Sequence, residues 1–291
     1  MKYAVIDQLR LHYSVARLCR QIGVSESGYY SWRSRPPSRR KKEDVVLKCI
    51  VNAAHKRTRE TYGPERLQQD IMTNERVLIG VHRIKRLRKE LGLRCRQKRK
   101  FKATTNSNHN LPVAPNLLEQ NFTVTSPNQV WITDITYIRT GEGWLYLAAH
   151  KDLFNGEIVG YALDRRMTTA LVMRSLFRGV AKKHPPGGLI HHSDRGSQYC
   201  SGKYRKLLDQ FKMQASMSRK GNCYDAAPIE SFWGALKNEL IYHCSYKTRQ
   251  QAVSVITEYI EIFYNRKRVQ KRLGYLSPAG YEKKFYQQLG T

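Results

Sequence analysis

Acidic side chains are scarce in this sequence: 23 Asp and Glu stand against 52 Lys and Arg, a formal charge of +29 over 291 residues. Such an excess makes nucleic acid the first partner to consider, because each phosphate neutralised by Lys or Arg releases condensed counterion. Cysteine is also sparse. Its six copies are scattered, with no CxxC and no histidine at zinc-finger spacing, so a zinc finger is excluded and reduced thiols of a cytosolic protein are expected. No apolar run reaches the roughly 18 residues that a membrane-spanning helix needs, and Met1-Lys2-Tyr3-Ala4-Val5-Ile6-Asp7 lacks a signal-peptide core. The expectation is a cytoplasmic, nucleoid-associated protein with no membrane partner. Internal repeats and low-complexity tracts are missing too. What is present, 41% hydrophobic residues and 18 tyrosines, suffices for a packed core and argues against global disorder. The length predicts two or three units.

Residues 1–35 read as a helix-turn-helix. Ser14 can cap a helix through Ile22 whose apolar Val15, Leu18, Cys19 and Ile22 follow the i, i+3, i+4, i+7 spacing. Gly23 breaks it, and Ser25 caps a second helix carrying Tyr29, Tyr30 and Trp32. Docked on DNA, that helix would bring Ser27, Tyr29 or Arg33 near the groove; a helical hairpin packed on another element would show the same pattern. After the basic linker Arg35-Pro36-Pro37-Ser38-Arg39-Arg40-Lys41-Lys42, residues 43–93 predict a second helical DNA-binding unit. Its first helix runs from about Asp44 to Arg57, with Val45, Val46, Cys49, Ile50 and Ala53 on one face. Its second opens at Tyr62-Gly63-Pro64, where a proline costs little. Its third, Val81 to Leu91, turns Ile84, Leu87 and Leu91 inward and Arg83, Lys85, Arg86, Arg88 and Lys89 outward, and Gly92 ends it. Arg83 and Arg86 are candidate DNA contacts. Residues 94–128 have no period and form a basic linker whose cations, Arg99 and Lys100 among them, could track a phosphate backbone.

From Val130 the pattern changes to strands. Val130 to Ile138 is apolar on both faces, as in the middle of a covered sheet. Gly141-Glu142-Gly143 and Asn155-Gly156 turn the chain into strands from Trp144 to Asp152 and Glu157 to Leu163, a meander. A helix from Thr169 to Lys183, a strand Leu189 to His192, a helix near Lys203 to Phe211, a strand Gln214 to Ser218 and a further helix after Pro228 follow. That order is the one found in the ribonuclease-H-like fold. An α/β catalytic core of this type, a five-stranded mixed sheet with helices, is expected over residues 129–245, preceded by the small all-α helix-turn-helix units. Residues 246–291 form a C-terminal helical basic tail, in which Thr248 to Phe263 is a helix and the cluster with Arg266 and Arg268 suits DNA.

Three carboxylates stand in apolar or aromatic surroundings on this cationic chain: Asp134 in Trp131-Ile132-Thr133-Asp134-Ile135-Thr136-Tyr137, Asp194 in His192-Ser193-Asp194-Arg195-Gly196-Ser197, and Glu230 in Ile229-Glu230-Ser231-Phe232-Trp233. In the expected sheet, Asp134 on the first strand and Asp194 at the end of the fourth are neighbours, and the last helix can deliver Glu230. Three packed carboxylates repel without a cation. Magnesium takes oxygen ligands and is content with one or two carboxylates, and two ions can serve an in-line phosphoryl transfer. Asp134, Asp194 and Glu230 are therefore the candidate catalytic and metal-ligating residues, with Mg²⁺ as cofactor and Mn²⁺ a substitute. Lys237 lies about two helical turns beyond Glu230, on nearly the same face, where it could hold a DNA phosphate; Arg195, Arg219, Lys220 and Asn222 flank the acids as further DNA contacts.

These segments, with Gly221-Asn222-Cys223-Tyr224-Asp225, Leu236-Lys237-Asn238-Glu239, Tyr264-Asn265-Arg266 and Leu273-Gly274-Tyr275-Leu276-Ser277-Pro278, closely resemble the catalytic, B-frame part of IS-three-family insertion-sequence transposases, relatives of retroviral integrases. Upstream, Tyr62-Gly63-Pro64 and Leu91-Gly92-Leu93 resemble the helical segment that the family carries before its core. The resemblance implies a recombinase that cuts one strand at an element end and uses the exposed 3′-OH to attack another phosphodiester. It implies Asp134, Asp194 and Glu230 as metal ligands and Lys237 as a DNA contact. It also implies partners: DNA as terminal repeats and target, a homo-oligomer on paired ends, and an upstream-frame protein, fused or separate. Two positions depart from the family pattern. Ala226 follows Asp225 where asparagine is usual, so that a hydrogen-bond donor is lost, and Val269-Gln270-Lys271 lacks the usual histidine. Two other functions share parts of the pattern: a non-catalytic end-binding regulatory product, and a ribonuclease-H-like nuclease that only hydrolyses. The acid triad argues against the first, and the end-binding apparatus against the second.

Overall fold

The computed structural model describes residues 2–96, 112–219 and 223–290. Helices α1 (Lys2–Leu9), α2 (Val15–Ile22) and α3 (Glu26–Ser34) pack around Ile6, Leu18, Cys19 and Tyr29. The break falls at Gly23, whose φ of 68° is left-handed, and the Ser25 hydroxyl accepts from the Gly28 N–H. Tyr29 is not a groove residue. It is fully buried and its hydroxyl donates to Asp7 at 2.9 Å. Tyr30 and Trp32 are the exposed aromatics of α3.

The next three helices are α4 (Arg39–Arg57), α5 (Pro64–Glu75) and α6 (Val81–Glu90). Helix α4 starts at the Ser38 cap, several residues before the expected start near Asp44. Its apolar stripe is turned away from the core at its N-terminal end: Val45 and Val46 are 64% and 61% exposed, whereas Asp44, Val51, Ala54 and His55 are buried. The physical cause is Asp44, which accepts from Arg83 Nε at 2.9 Å and from Arg86 Nη2 at 2.6 Å. A carboxylate held by two guanidiniums of α6 rotates the helix so that the charged residue faces inward and its valine neighbours face water. Arg88, expected outward, is also buried.

Five strands follow: β1 (Val130–Thr140), β2 (Gly143–Asp152), β3 (Ile158–Asp164), β4 (Ile190–Ser193) and β5 (Gln214–Met217). Their order is β3-β2-β1-β4-β5, with the meander antiparallel and β1–β4 and β4–β5 parallel. This is the expected mixed sheet. One face packs on α7 (Thr169–Lys183) and α9 (Gly202–Gln210), with the short α8 (Ser197–Cys200) between them in the chain, around Trp131, Ala148, Leu176, Tyr199 and Tyr204. Helix α7 sits so close to β3 that a Cβ on Gly160 would meet the Ser175 carbonyl oxygen at 2.4 Å. Under this face His150 and His191 share a contact at 3.1 Å, with Ser175 on the former and Tyr204 on the latter; burial pushes both imidazoles below their ordinary range, His191 to about 3.

The other face packs on α10 (Ala227–Glu239) and on α11 (Arg249–Glu258), which continues as a π-helical turn over Tyr259–Tyr264. The last helix, α12 (Pro278–Gln288), lies beside Phe154 through Tyr281 and Phe285. Val51, Leu67, Ile71, Ile84 and Leu87 from α4–α6 join the same apolar cluster as Ile132, Phe232 and Ile260. The Tyr62 hydroxyl accepts from the Val269 N–H at 2.7 Å across that junction, and Arg59 pairs with Glu258. Among the described residues no helix is long and apolar enough to cross a membrane.

Candidate active site

Strands β1 and β4 pair as Val130–Ile190, Trp131–His191 and Ile132–His192. Continued by two residues, that register sets Asp134 beside Asp194. Each acid is fixed locally. Asp134 Oδ1 accepts from the Ile135 N–H at 2.7 Å and Oδ2 from the Trp233 indole Nε1 at 2.8 Å. Asp194 Oδ1 accepts from the Gly196 N–H at 2.9 Å, a short turn that ends β4. The exits of β4 and β5 are locked together below it: His192 sits between Ser216 and Ser218, the Ser218 N–H donates to the Ser193 carbonyl, and Arg195 Nε donates to the Ser218 carbonyl at 2.7 Å.

Glu230 comes from the first turn of α10 and is exposed. The approach to that helix is organised by Asp225, which is buried and accepts from Asn116, Gln120 and the backbone and guanidinium of Arg219. These bonds hold its carboxyl below the usual range against burial. Lys151, also buried, donates to the Pro228 carbonyl at 2.6 Å in the first turn, and burial draws its ammonium down to about 7. Ala226 is the N-cap and supplies no side-chain acceptor.

Electrostatics tie the three acids together. Burial first, then the charge of Asp194, and more weakly that of Glu230, push the Asp134 carboxyl up to about 7, against the two N–H donors that favour its charged form. Among the described residues, however, no three acids, histidines or cysteines close into a ligand cluster. The donor chemistry suits a hard divalent ion, since all three groups offer only carboxylate oxygen, and the repulsion felt at Asp134 is of the sign that a cation relieves.

The candidate DNA contacts divide. Lys237 does not share the exposure of Glu230: it is 4% exposed, its Nζ lies 5.6 Å from the centre of the Tyr137 ring, and burial draws it down to about 8 while Asp134 acts the other way. Arg268 is a structural residue. It is buried against Glu239, with Nη2 to Oε1 at 2.6 Å, and Tyr259 donates to the same carboxylate. Arg83 and Arg86 are engaged with Asp44, and Arg219 with Asp225. Arg266 is exposed. Arg99, Lys100, Lys220 and Asn222 lie outside the described residues. The bond from Trp233 to Asp134 is not among the sequence expectations; the one signal for it is the spacing of three from Glu230, about one turn along the same helix.

An integrase core domain model matches residues 124–223, a second integrase core domain model residues 230–285, and an HTH-like domain model residues 41–101. The chain is 58% identical over 270 residues to an uncharacterised 31 kDa protein of insertion element IS600 from Shigella sonnei, covering 93% of this chain and 99% of that one. It is 37% identical over 286 residues to the transposase InsF for insertion sequence IS3A of Escherichia coli (strain K12), covering 98% and 99%. Among solved structures, the simian T-cell lymphotropic virus intasome in complex with PP2A regulatory subunit B56 gamma matches with a TM-score of 0.48 and 16% identity, over 80% of this chain and 74% of that one.

Proposed function

The chain belongs to the IS3 family of insertion-sequence transposases, and from that membership we propose that it cuts one DNA strand at each element end and joins the exposed 3′-OH to target DNA, with Asp134, Asp194 and Glu230 as its catalytic carboxylates. One observation carries the assignment of residues: the β1–β4 register, continued by two residues, brings Asp134 beside Asp194, and Trp233 of α10, one turn after Glu230, bonds to Asp134. Those three side chains would hold the divalent cation, Mg²⁺ or Mn²⁺. When bound, the ion supplies Lewis-acid activation of the attacking oxygen and neutralises charge on the leaving one. The chain's own residues set the geometry. Ile135 and Trp233 orient the Asp134 carboxylate, the Gly196 turn orients Asp194, and the Asp225 cluster presents the first turn of α10. Lys237, buried, offsets the charge of Asp134; the exposed Arg266 meets the DNA backbone, while Arg195 and Arg219, held by the Ser218 carbonyl and by Asp225, border the same face. Coupled action at two ends calls for a homo-oligomer on paired DNA, with an upstream-frame protein as a further partner.

The test is to incubate the full chain with its element-end DNA and Mg²⁺ or Mn²⁺ and to resolve the products by size. Cut and joined strands are expected, with joining lost in Asp194→Asn while end binding persists. Cutting without joining would favour a hydrolytic nuclease. Products unchanged in Asp194→Asn would remove the acids from the chemistry.

A further inference from the structure

Trp233 occupies an unusual position for a buried tryptophan. Its ring packs against Phe232, centroids 4.8 Å apart, within the core that seats α10 under the sheet. Its one polar atom leaves that core to donate to Asp134 Oδ2 at 2.8 Å, across 99 residues of sequence. An indole N–H can only donate, so Oδ2 is the acceptor and the contact favours the ionised carboxylate. The Ile135 N–H takes the other oxygen, so both oxygens are engaged and the carboxylate is held in one orientation. Glu230 lies one turn before Trp233 on the same helix and is exposed. The bond therefore links the strand that bears one acid to the helix that bears another.

Resting on the carboxylate assignment above, we propose that Trp233 is a positioning residue of the metal site: its indole N–H orients Asp134 and sets the placement of the α10 acid relative to it, so that the chain's affinity for a divalent cation depends on this one donor. It touches neither substrate nor ion. Hydrogen-bonding partners of ligating groups have effects of this kind, typically about 10- to 100-fold in metal affinity.

The experiment uses the full chain and Mn²⁺, reading free Mn²⁺ by its electron paramagnetic resonance signal, with end-DNA affinity and the unfolding midpoint measured in parallel. Trp233→Phe keeps an aromatic ring and removes the donor; Trp233→His returns a donor in a smaller ring. The expected result is Mn²⁺ binding about 10- to 100-fold weaker in Trp233→Phe, partly recovered in Trp233→His, with end-DNA affinity unchanged in both. Parent-like Mn²⁺ binding in Trp233→Phe, or equal losses in both variants that follow their unfolding midpoints, would overturn the proposal by assigning Trp233 to packing alone. Asp134→Asn separates this from the underlying assignment. If it loses Mn²⁺ binding while Trp233→Phe does not, only the role of Trp233 falls; if it binds Mn²⁺ as the parent does, the carboxylate site itself falls.

Discussion

At Asp134, burial and the charges of Asp194 and Glu230 act against ionisation, while the Ile135 and Trp233 N–H groups act for it, and the carboxyl comes to rest at about 7. An acid raised in the folded state contributes stability that is fully present below its unfolded pKa and is lost as pH rises through its folded one. In the metal-free protein the loss therefore runs from about pH 4 to about pH 7. Asp134→Asn, which carries no charge but turns an amide NH2 toward one of the two N–H donors, is expected to start below the parent at the acid end of this window and to gain on it across the window by on the order of a few kcal/mol. Denaturant unfolding at both ends of the window, without divalent cation, checks this; a gap between the two proteins that stays constant with pH would contradict it. Asp134, Asp194 and Glu230 stand out in sequence as candidates because a carboxylate among apolar residues is conspicuous on so basic a chain. The Trp233 contact was not, because an indole among Phe232, Leu236 and Leu240 looks like any other core residue until the partner strand is placed.

Helix α10 illustrates what is decided at the level of an element. Its start is set by Pro228 in the first turn and by the Asp225 cluster before it, but the N-cap position holds Ala226 and leaves the first turn without a side-chain acceptor. Ala226→Asn is expected to add about 0.5–1 kcal/mol of stability by capping one of the free N–H groups, read as a raised midpoint of thermal unfolding. Ala226→Val, which brings no acceptor, should not reproduce the gain. The strands β1 to β5 and helices α7, α9, α10 and α11 follow from periodicity and turn residues, since each alternates or repeats as its burial demands. Helix α4 shows where that reasoning fails: Val45 and Val46 look like core, yet the twin guanidiniums of Arg83 and Arg86 turn Asp44 inward in their place. Local periodicity counts apolar residues and has no knowledge of an ion pair formed with a helix 39 residues away.

For the whole molecule, the +29 charge governs encounter with DNA, but individual cations serve different ends. Arg266 is exposed, so Arg266→Ala should weaken DNA affinity similarly across sequences and flatten the dependence on salt by about one counterion. Arg268, two residues on, is buried against Glu239. Arg268→Ala should instead cost about 3–5 kcal/mol of folding stability by leaving that buried carboxylate without its cation. Fluorescence anisotropy over a salt series, beside denaturant unfolding of the same variants, distinguishes the two outcomes; a salt slope altered by Arg268→Ala with stability intact would reverse the assignment. The helical unit α4–α6 is likewise no separate bead on a linker. It shares one apolar core with the sheet and the C-terminal helices, bridged by Tyr62, Arg59 and their partners.

By itself the sequence determined the class of partner and the alternation of strands and helices, and it singled out three acids as candidates, because charge balance, hydrophobic period and short motifs are local properties of the chain. Only the tertiary structure decided which of these residues act on one another. It placed Trp233 on Asp134, withdrew Lys237 and Arg268 from the surface, rotated α4 about Asp44, and joined the second helical unit to the five-stranded sheet in one apolar core. Each of those outcomes depends on a partner far away in sequence, and on a competition between burial and hydrogen bonding that is settled only when both partners are in place.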